Sequence, residues 1–202
     1  MNDSKEHIIK ISSKLFLQKS FKEVTMKDIV QKTGLSKGAF YHYFESKEQL
    51  FLEVLDYFFT NVMVHTYDKY SRESFYKFYH DYANSAILFS LYQSEFADSD
   101  SEEEFNMNYF TLAFDALKLF PEFRIKMMEG QKQEIEIWSD VIKNARNNGE
   151  IKSLMTDAEI AKTYIYLSDG VAMHMILGGI KREEMIMPFL SLWDKLYEQM
   201  KV

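Results

Sequence analysis

Residues 25–47 read TMKDIVQKTGLSKGAFYHYFESK, and this stretch decides the fold. Thr25 stands three residues before Asp28, the register of a capping box, so a helix starts at residue 26. Gly34 supplies the left-handed backbone that ends it. Ser36 caps a second helix, 37 to 44, and Ser46 with Gln49 makes a further box for a third. Two helices joined by a short turn containing glycine form a helix-turn-helix, whose second helix enters the major groove of DNA.

The second helix carries the chemistry for that task. Phe40 and Phe44 lie one turn apart and share a face that can pack into a small core. Gly38 and Ala39 are poor packing residues, but they let a helix backbone approach base edges. Ser36, Tyr41 and Lys47 offer hydroxyls and a charge suited to phosphate oxygens. The competing reading is an ordinary three-helix surface patch with Tyr and His half-buried. Agreement of cap, turn and apolar pattern favours the DNA reading.

The segment LSKGAFYHYFESKEQL, Leu35 to Leu50, resembles the signature of the tetracycline-repressor (TetR) family of bacterial transcription regulators. The likeness covers roughly the first quarter of the chain, from the helix IIKISSKLF through FKEVTMKDIVQKTG to Phe51. Val30 departs from the pattern, where the family often has alanine, and a slightly larger core residue is tolerable there. The resemblance implies base-facing positions at Lys27, Lys37, Gly38, Ala39, His42 and Tyr43. It also implies phosphate contacts from Thr25, Ser36, Tyr41 and Lys47. By the same likeness, the protein is a homodimer on double-stranded DNA carrying an inverted-repeat operator. The last two helices pair with a symmetry mate in a four-helix interface. The resemblance further implies a repressor that a small, largely apolar effector releases by binding the C-terminal domain. The domains are then 1–50, a three-helix helix-turn-helix domain, and 51–202, a larger helical bundle for effector binding and dimerisation.

Composition fits that division. The 202 residues include two prolines and seven glycines. Apolar residues recur at helical spacing in Ile8, Ile11 and Leu15, and again in Leu50, Val54, Phe58 and Val62. The fold class is all-α. Residues 1–52 hold nine lysines against six acids, a net +3, and the remainder holds 15 basic against 25 acidic residues, a net −10. Positive charge therefore sits beside the motif, and two such heads on one duplex bind better than one. Cysteine is absent, which excludes disulfides, thiolate metal sites and thiol redox sensing. No apolar stretch reaches membrane-spanning length, and MNDSKEHIIK is too polar for a secretory leader, so a soluble, cytoplasmic protein is expected.

Beyond the motif, one helix runs from Lys47 to about Thr66, and a break at Tyr70–Arg72 precedes a second from Glu73 to about Phe96. The acidic run 98–104 reads as a solvated loop rather than a metal cluster. A further helix ends near Phe120; Pro121 opens the next, which stops at Asn147–Gly149. Thr156 and Glu159 box a helix reaching Gly178–Gly179. The last helix, Glu183 to Met200, has Pro188 in its first turns. It carries a stripe of Ile186, Phe189, Leu190, Trp193, Leu196, Tyr197 and Met200. That stripe serves a dimer interface or, alternatively, the interior of one subunit.

Of the 32 aromatic residues, 25 follow residue 52. Phe75, Phe78, Tyr82, Phe89, Tyr109, Phe110, Phe114, Trp138 and Tyr164 are candidates to line an effector cavity, with His174 a further candidate. Plain aromatic core is the alternative for each. His65 and His80 lack partners at metal-ligand spacing, and neither metal nor cofactor is expected. Glu134 and Glu136 read as acids of an exposed helix face. There is no phosphate loop, nucleophile elbow or zinc-protease motif, so no enzymatic function is expected. The second functional reading is a helical DNA-binding protein whose body binds a protein partner instead of a small molecule.

Overall fold

The computed structural model describes residues 3–57, 67–94, 102–178 and 186–202; for 86–94, 102–110, 176, 186 and 187 it describes the backbone alone. The helices are α1 (Asp3–Gln18), α2 (Met26–Thr33), α3 (Lys37–Tyr41), α4 (Lys47–Tyr57), α5 (Phe75–Ser94), α6 (Glu102–Leu119), α7 (Pro121–Asn147), α8 (Asp157–Leu177) and α9 (Ile186–Met200), with a 3-10 turn at Tyr67–Lys69. The protein is all-α. Among the described residues, extended backbone pairs only at an isolated antiparallel bridge between Ile151 and Lys201. The expected continuation of α4 through residue 66 and the start of the acidic run at 98 lie outside the described residues.

The chain divides into two compact units, one of Met1–Val64 with Tyr92–Pro121, the other of His65–Leu91 with Glu122–Val202. In the first, α1 packs against α2, α4 and α6. Ile8, Ile9, Leu15 and Phe16 are buried along α1, the one-sided apolar stripe expected of such a helix. Two serines share that buried face. Ser12 donates to the Ile8 carbonyl at 2.7 Å and Ser13 to the Ile9 carbonyl at 2.8 Å, so neither hydroxyl is left unmet. Phe51 sits at the centre, with ring centroids 4.9 Å from Phe16, 4.7 Å from Phe21 and 5.8 Å from Phe120. Helix α6 closes this unit: Leu112 and Ala116 are buried, and the Phe21 amide donates to Asp115 at 3.3 Å.

The second unit has a continuous aromatic core of Phe75, Phe78, Tyr79, Trp138, Tyr164, Trp193 and Tyr197, filled in by Val141, Ile142, Ile160 and Ile165. Helices α8 and α9 are tied reciprocally. Trp193 Nε1 donates to the Tyr164 carbonyl at 3.0 Å, and the Tyr164 hydroxyl donates to the Trp193 carbonyl at 3.1 Å. Phe189, Trp193 and Tyr197 of the α9 stripe are thereby spent on the chain's own interior. Pro188 and Leu192 remain exposed on the same helix.

Glu150 anchors one end of this unit. Helix α7 ends in a left-handed Gly149 at φ 73°. The Gly149 amide donates to the Arg146 carbonyl at 3.1 Å and the Glu150 amide to that of Ala145 at 2.9 Å, a Schellman ending. The turn aims the Glu150 carboxylate at the start of α5, where it accepts from the amides of Phe75 and Tyr76, both at 3.0 Å. It also accepts from the hydroxyls of Ser74 at 2.9 Å and Tyr197 at 3.1 Å. A carboxylate at a helix N-terminus satisfies donors the helix cannot satisfy itself. Glu150→Ala is expected to cost about 2–3 kcal/mol by leaving those donors unmet. Urea unfolding would show this as a lower midpoint at unchanged slope, with Glu150→Gln losing less.

Candidate nucleic-acid interface

The motif is built by local hydrogen bonds. Thr25 caps α2: its Oγ1 accepts from the Asp28 amide at 3.2 Å, while its own amide and hydroxyl donate to Asp28 Oδ2 at 3.0 and 2.6 Å. Those two bonds hold the Asp28 carboxyl below its usual range. Gly34 adopts φ 68° and ψ 4° at the end of α2, a conformation that would strain any residue with a Cβ. His7 Nε2 lies 3.1 Å from the Thr33 carbonyl, linking α1 to the turn. Ser36 Oγ accepts from the Ala39 amide at 3.2 Å and starts α3.

Helix α3 is shorter than the expected 37–44, ending at Tyr41. The chain then tightens, with the Tyr43 amide on the Phe40 carbonyl, and Phe44 returns to that carbonyl at 3.3 Å. Phe40 and Phe44 nonetheless share the inner face, both fully buried with centroids 6.3 Å apart. Lys37, Gly38, Ala39, Tyr41 and His42 are all exposed, as are Thr25, Lys27 and Ser36, and Tyr43 is half-buried. The Tyr41 ring rests against Phe40 at 5.6 Å, with the Lys37 ammonium 5.9 Å from its centroid. A Cβ added at Gly38 would meet nothing within 4 Å. Glycine inside a helix costs about 0.5–1 kcal/mol relative to alanine, and no neighbour among the described residues accounts for its choice.

Lys47 is engaged inward. Its ammonium donates to the carbonyls of Phe21 at 2.8 Å and Val24 at 2.9 Å, and lies 4.3 Å from the Phe21 ring centroid. Of the residues assigned to phosphates, it is the one whose charged group is turned inward, holding the α1–α2 connection against the start of α4. The Ser46 box is also modified: the Gln49 amide donates to Ser46 Oγ at 3.1 Å, but Gln49 Oε1 accepts from Glu45 at 3.0 Å.

The effector candidates separate into groups. Phe78, Trp138 and Tyr164 are fully buried and Tyr82 lies at the edge of the same core, with centroids 5.1 Å between Phe78 and Trp138 and 5.2 Å between Tyr82 and Trp138. Phe114 is half-exposed on α6 in the other unit. His174 is exposed on α8 and lines an open apolar groove with Tyr166, Gly170, Pro188 and Leu192. The side chains of Phe89, Tyr109 and Phe110 lie outside the described residues. His80, read in the sequence as lacking a metal-ligand set, has Nε2 3.0 Å from Asp194 Oδ1. Among the described residues no group of three His, Asp or Glu could hold a metal, and no helix is long and apolar enough to cross a membrane.

One expectation is overturned. Glu134 is not on an exposed face: it accepts from the Tyr67 hydroxyl at 2.7 Å and the Tyr82 hydroxyl at 3.3 Å, and burial raises its carboxyl above the usual range. The signal was present in the spacing. Trp138, Val141, Ile142 and Ala145 form the buried stripe of α7, and stepping back four residues from Trp138 lands on Glu134.

Residues 8–54 match the profile of bacterial regulatory proteins of the tetR family. The HTH-type transcriptional regulator YerO of Bacillus subtilis is 48% identical over 58 residues, covering 29% of this chain and 20% of YerO. The repressor NemR of Escherichia coli is 33% identical over 55 residues, 27% of this chain and 28% of NemR. The chain thus matches less than a third of the length of these relatives. A crystal structure of a transcriptional regulator of the TetR/AcrR family superposes with a TM-score of 0.72 at 21% identity, covering 98% of this chain and all of that one, which establishes a shared fold. Residues 8–54 thus carry the sequence pattern of the tetR regulatory proteins, and the chain as a whole shares the fold of a solved TetR/AcrR regulator.

Proposed function

We propose that the protein is a ligand-responsive DNA-binding transcriptional regulator, a repressor released from a palindromic operator when a small, largely apolar molecule binds the C-terminal domain. The observation that carries this reading is the outer face of α3. Five neighbouring residues, Lys37 to His42 apart from Phe40, are exposed on α3 and its C-cap, which are fixed from behind by two buried phenylalanines. Open space at Gly38 leaves room for a base edge. On this reading Lys27, Lys37, Gly38, Ala39, His42 and Tyr43 face bases, and Thr25, Ser36 and Tyr41 face phosphates. Lys47 supports the arrangement by orienting the α1–α2 connection.

A homodimer through α8 and α9 would place two heads on one duplex and double the modest +3 of each. The open groove beside Tyr166, Gly170, Pro188 and Leu192 is apolar and exposed, which suits a symmetric helix pair better than the inward stripe of α9. An effector in the body changes DNA affinity only to the extent that it binds the two head spacings differently.

Selection of bound duplexes from a random pool at moderate salt is expected to return an inverted repeat; salt-sensitive binding without a consensus would overturn the reading. Lys37→Ala is expected to change preference at one or two positions per half-site, by about 1–3 kcal/mol if it reads guanine. Tyr41→Ala should weaken all sequences alike by about 1–2 kcal/mol through loss of a phosphate hydrogen bond. Lys47→Met should lower the unfolding midpoint of the DNA-free protein, at a cost of about 1–2 kcal/mol. A reduced salt slope with unchanged stability would instead put Lys47 on a phosphate.

A further inference from the structure

The turn between α2 and α3 is held weakly by its own residues. The Gly34 amide returns to the Gln31 carbonyl at 3.4 Å, and the Leu35 amide reaches Thr33 Oγ1 at 3.5 Å. Both lie beyond the usual N–H···O range of about 2.7–3.2 Å. The caps on either side are tighter: Thr25 Oγ1 and Ser36 Oγ each accept an amide at 3.2 Å. Helix α3 spans only Lys37–Tyr41, too short to be stable by itself. The angle at which it leaves the turn therefore depends on contacts from outside.

Such contacts come from the first two turns of α1. His7 Nε2 lies 3.1 Å from the Thr33 carbonyl, at the C-terminal end of α2. A carbonyl oxygen only accepts, so the imidazole carries its proton on Nε2 and donates it. The last carbonyls of a helix have no partner inside it, and this one is met by a side chain 26 residues earlier in the chain. Two residues before His7, the Lys5 ammonium bonds Glu53 on α4 at 3.0 Å and stands 5.8 Å from the ring centroid of Phe44, which backs α3. One short stretch thus reaches the end of α2, the rear of α3 and the side of α4. His7 is itself exposed, whereas Ile8 and Ile9 beside it are buried. Its imidazole lies outside the core, and the bond to the turn is the contact through which it acts.

We propose that His7 is a positioning residue for sequence reading: by tying the Thr33 carbonyl to α1, it sets the angle at which α3 presents Lys37 to His42 to a duplex, without touching the DNA. This rests on the DNA-reading function above and adds a residue of α1 to it. A loosened turn lets α3 sample more orientations. Base contacts need a fixed geometry and suffer from that freedom, while attraction to phosphates tolerates it. His7 accordingly acts on the preference for operator over other DNA.

The test uses the full-length protein and two substitutions. His7→Ala removes the donor, and His7→Gln keeps an N–H at a similar reach. In the DNA-free protein, NMR hydrogen exchange at the Gly34, Leu35 and Ala39 amides is expected to be about threefold faster in His7→Ala, with Phe16 and Val54 unchanged and His7→Gln near the parent. Competition between the selected inverted repeat and random duplex is expected to lose about threefold per head in His7→Ala, about tenfold for two heads. The salt slope of binding to random DNA should stay the same, and His7→Gln should restore the preference. An operator preference unchanged in His7→Ala would overturn the proposal. So would an equal loss on operator and random DNA with a shallower salt slope, which would put His7 on a phosphate. Exchange accelerated throughout the first unit would also overturn it, by making His7 a general stabiliser. Should His7→Ala fail to fold, His7→Asn, whose amide falls short of the carbonyl, carries the same comparison. If the parent itself selects no sequence, the DNA-reading function falls on its own, and the exchange comparison still decides whether His7 holds the turn.

Discussion

A five-residue helix cannot hold itself together in water, since one turn costs more order than its hydrogen bonds return. That constraint governs the first unit. Helix α3 exists because Ser36 starts it, Gly34 redirects the chain into it, and Phe40 and Phe44 pin its inner face. Burial of two phenylalanines contributes about 1.5–3 kcal/mol each, more than the helix could supply from its own backbone. The outer face is consequently free of packing duties, and Gly38 and Ala39 can be chosen for what approaches from outside. Lys47 acts further back: its two carbonyl bonds fix the loop between α1 and α2, and with it the entry to the motif.

The second unit contrasts two ways of treating a carboxylate. Glu150 is met by two amides and two hydroxyls, so its charge is fully used in closing one end of the bundle. Arg146 works beside it, donating to Asp157 and to the carbonyls of Ser153 and Met155 to organise the α7–α8 connection. Glu134, on α7, accepts from two tyrosine hydroxyls and has no cationic partner among the described residues. Satisfied polar groups indicate construction.

What was legible in the sequence was local. Thr25, Gly34, Ser36, Pro121, Gly149 and the Thr156–Glu159 box each act through hydrogen bonds or backbone angles within a few residues, and each stands where its neighbours implied. The exposed face of α3 followed from its periodicity. What escaped depended on residues far away in the chain. The charge of Lys47 suggested a phosphate, and the carbonyls it meets in the DNA-free protein, 23 and 26 residues earlier, could not be read from its neighbours. Glu134 resembled a solvated acid because its tyrosine partners lie 67 and 52 residues away. The α9 stripe had the same pattern whether it faced a partner or its own core, and only the Trp193–Tyr164 exchange shows where Trp193 is spent. Aromatic candidates for a cavity were equally ambiguous, because rings that line a space and rings that fill one recur at the same spacing.

The place of Phe120 in the first unit bears on how such proteins can be recombined. Phe120 lies against both Phe21 and Phe51, and Asp115 of the same segment accepts from the Phe21 amide. A chimera joined at residue 50, with a foreign reading head on this chain's remainder, would confront Phe51 and Phe120 with rings they were not shaped for. Exchange of the first 50 residues between chains of this fold is therefore not a matter of cutting at that point. The transplant must carry complementary residues at Asp115 on α6 and at Phe120 just beyond it.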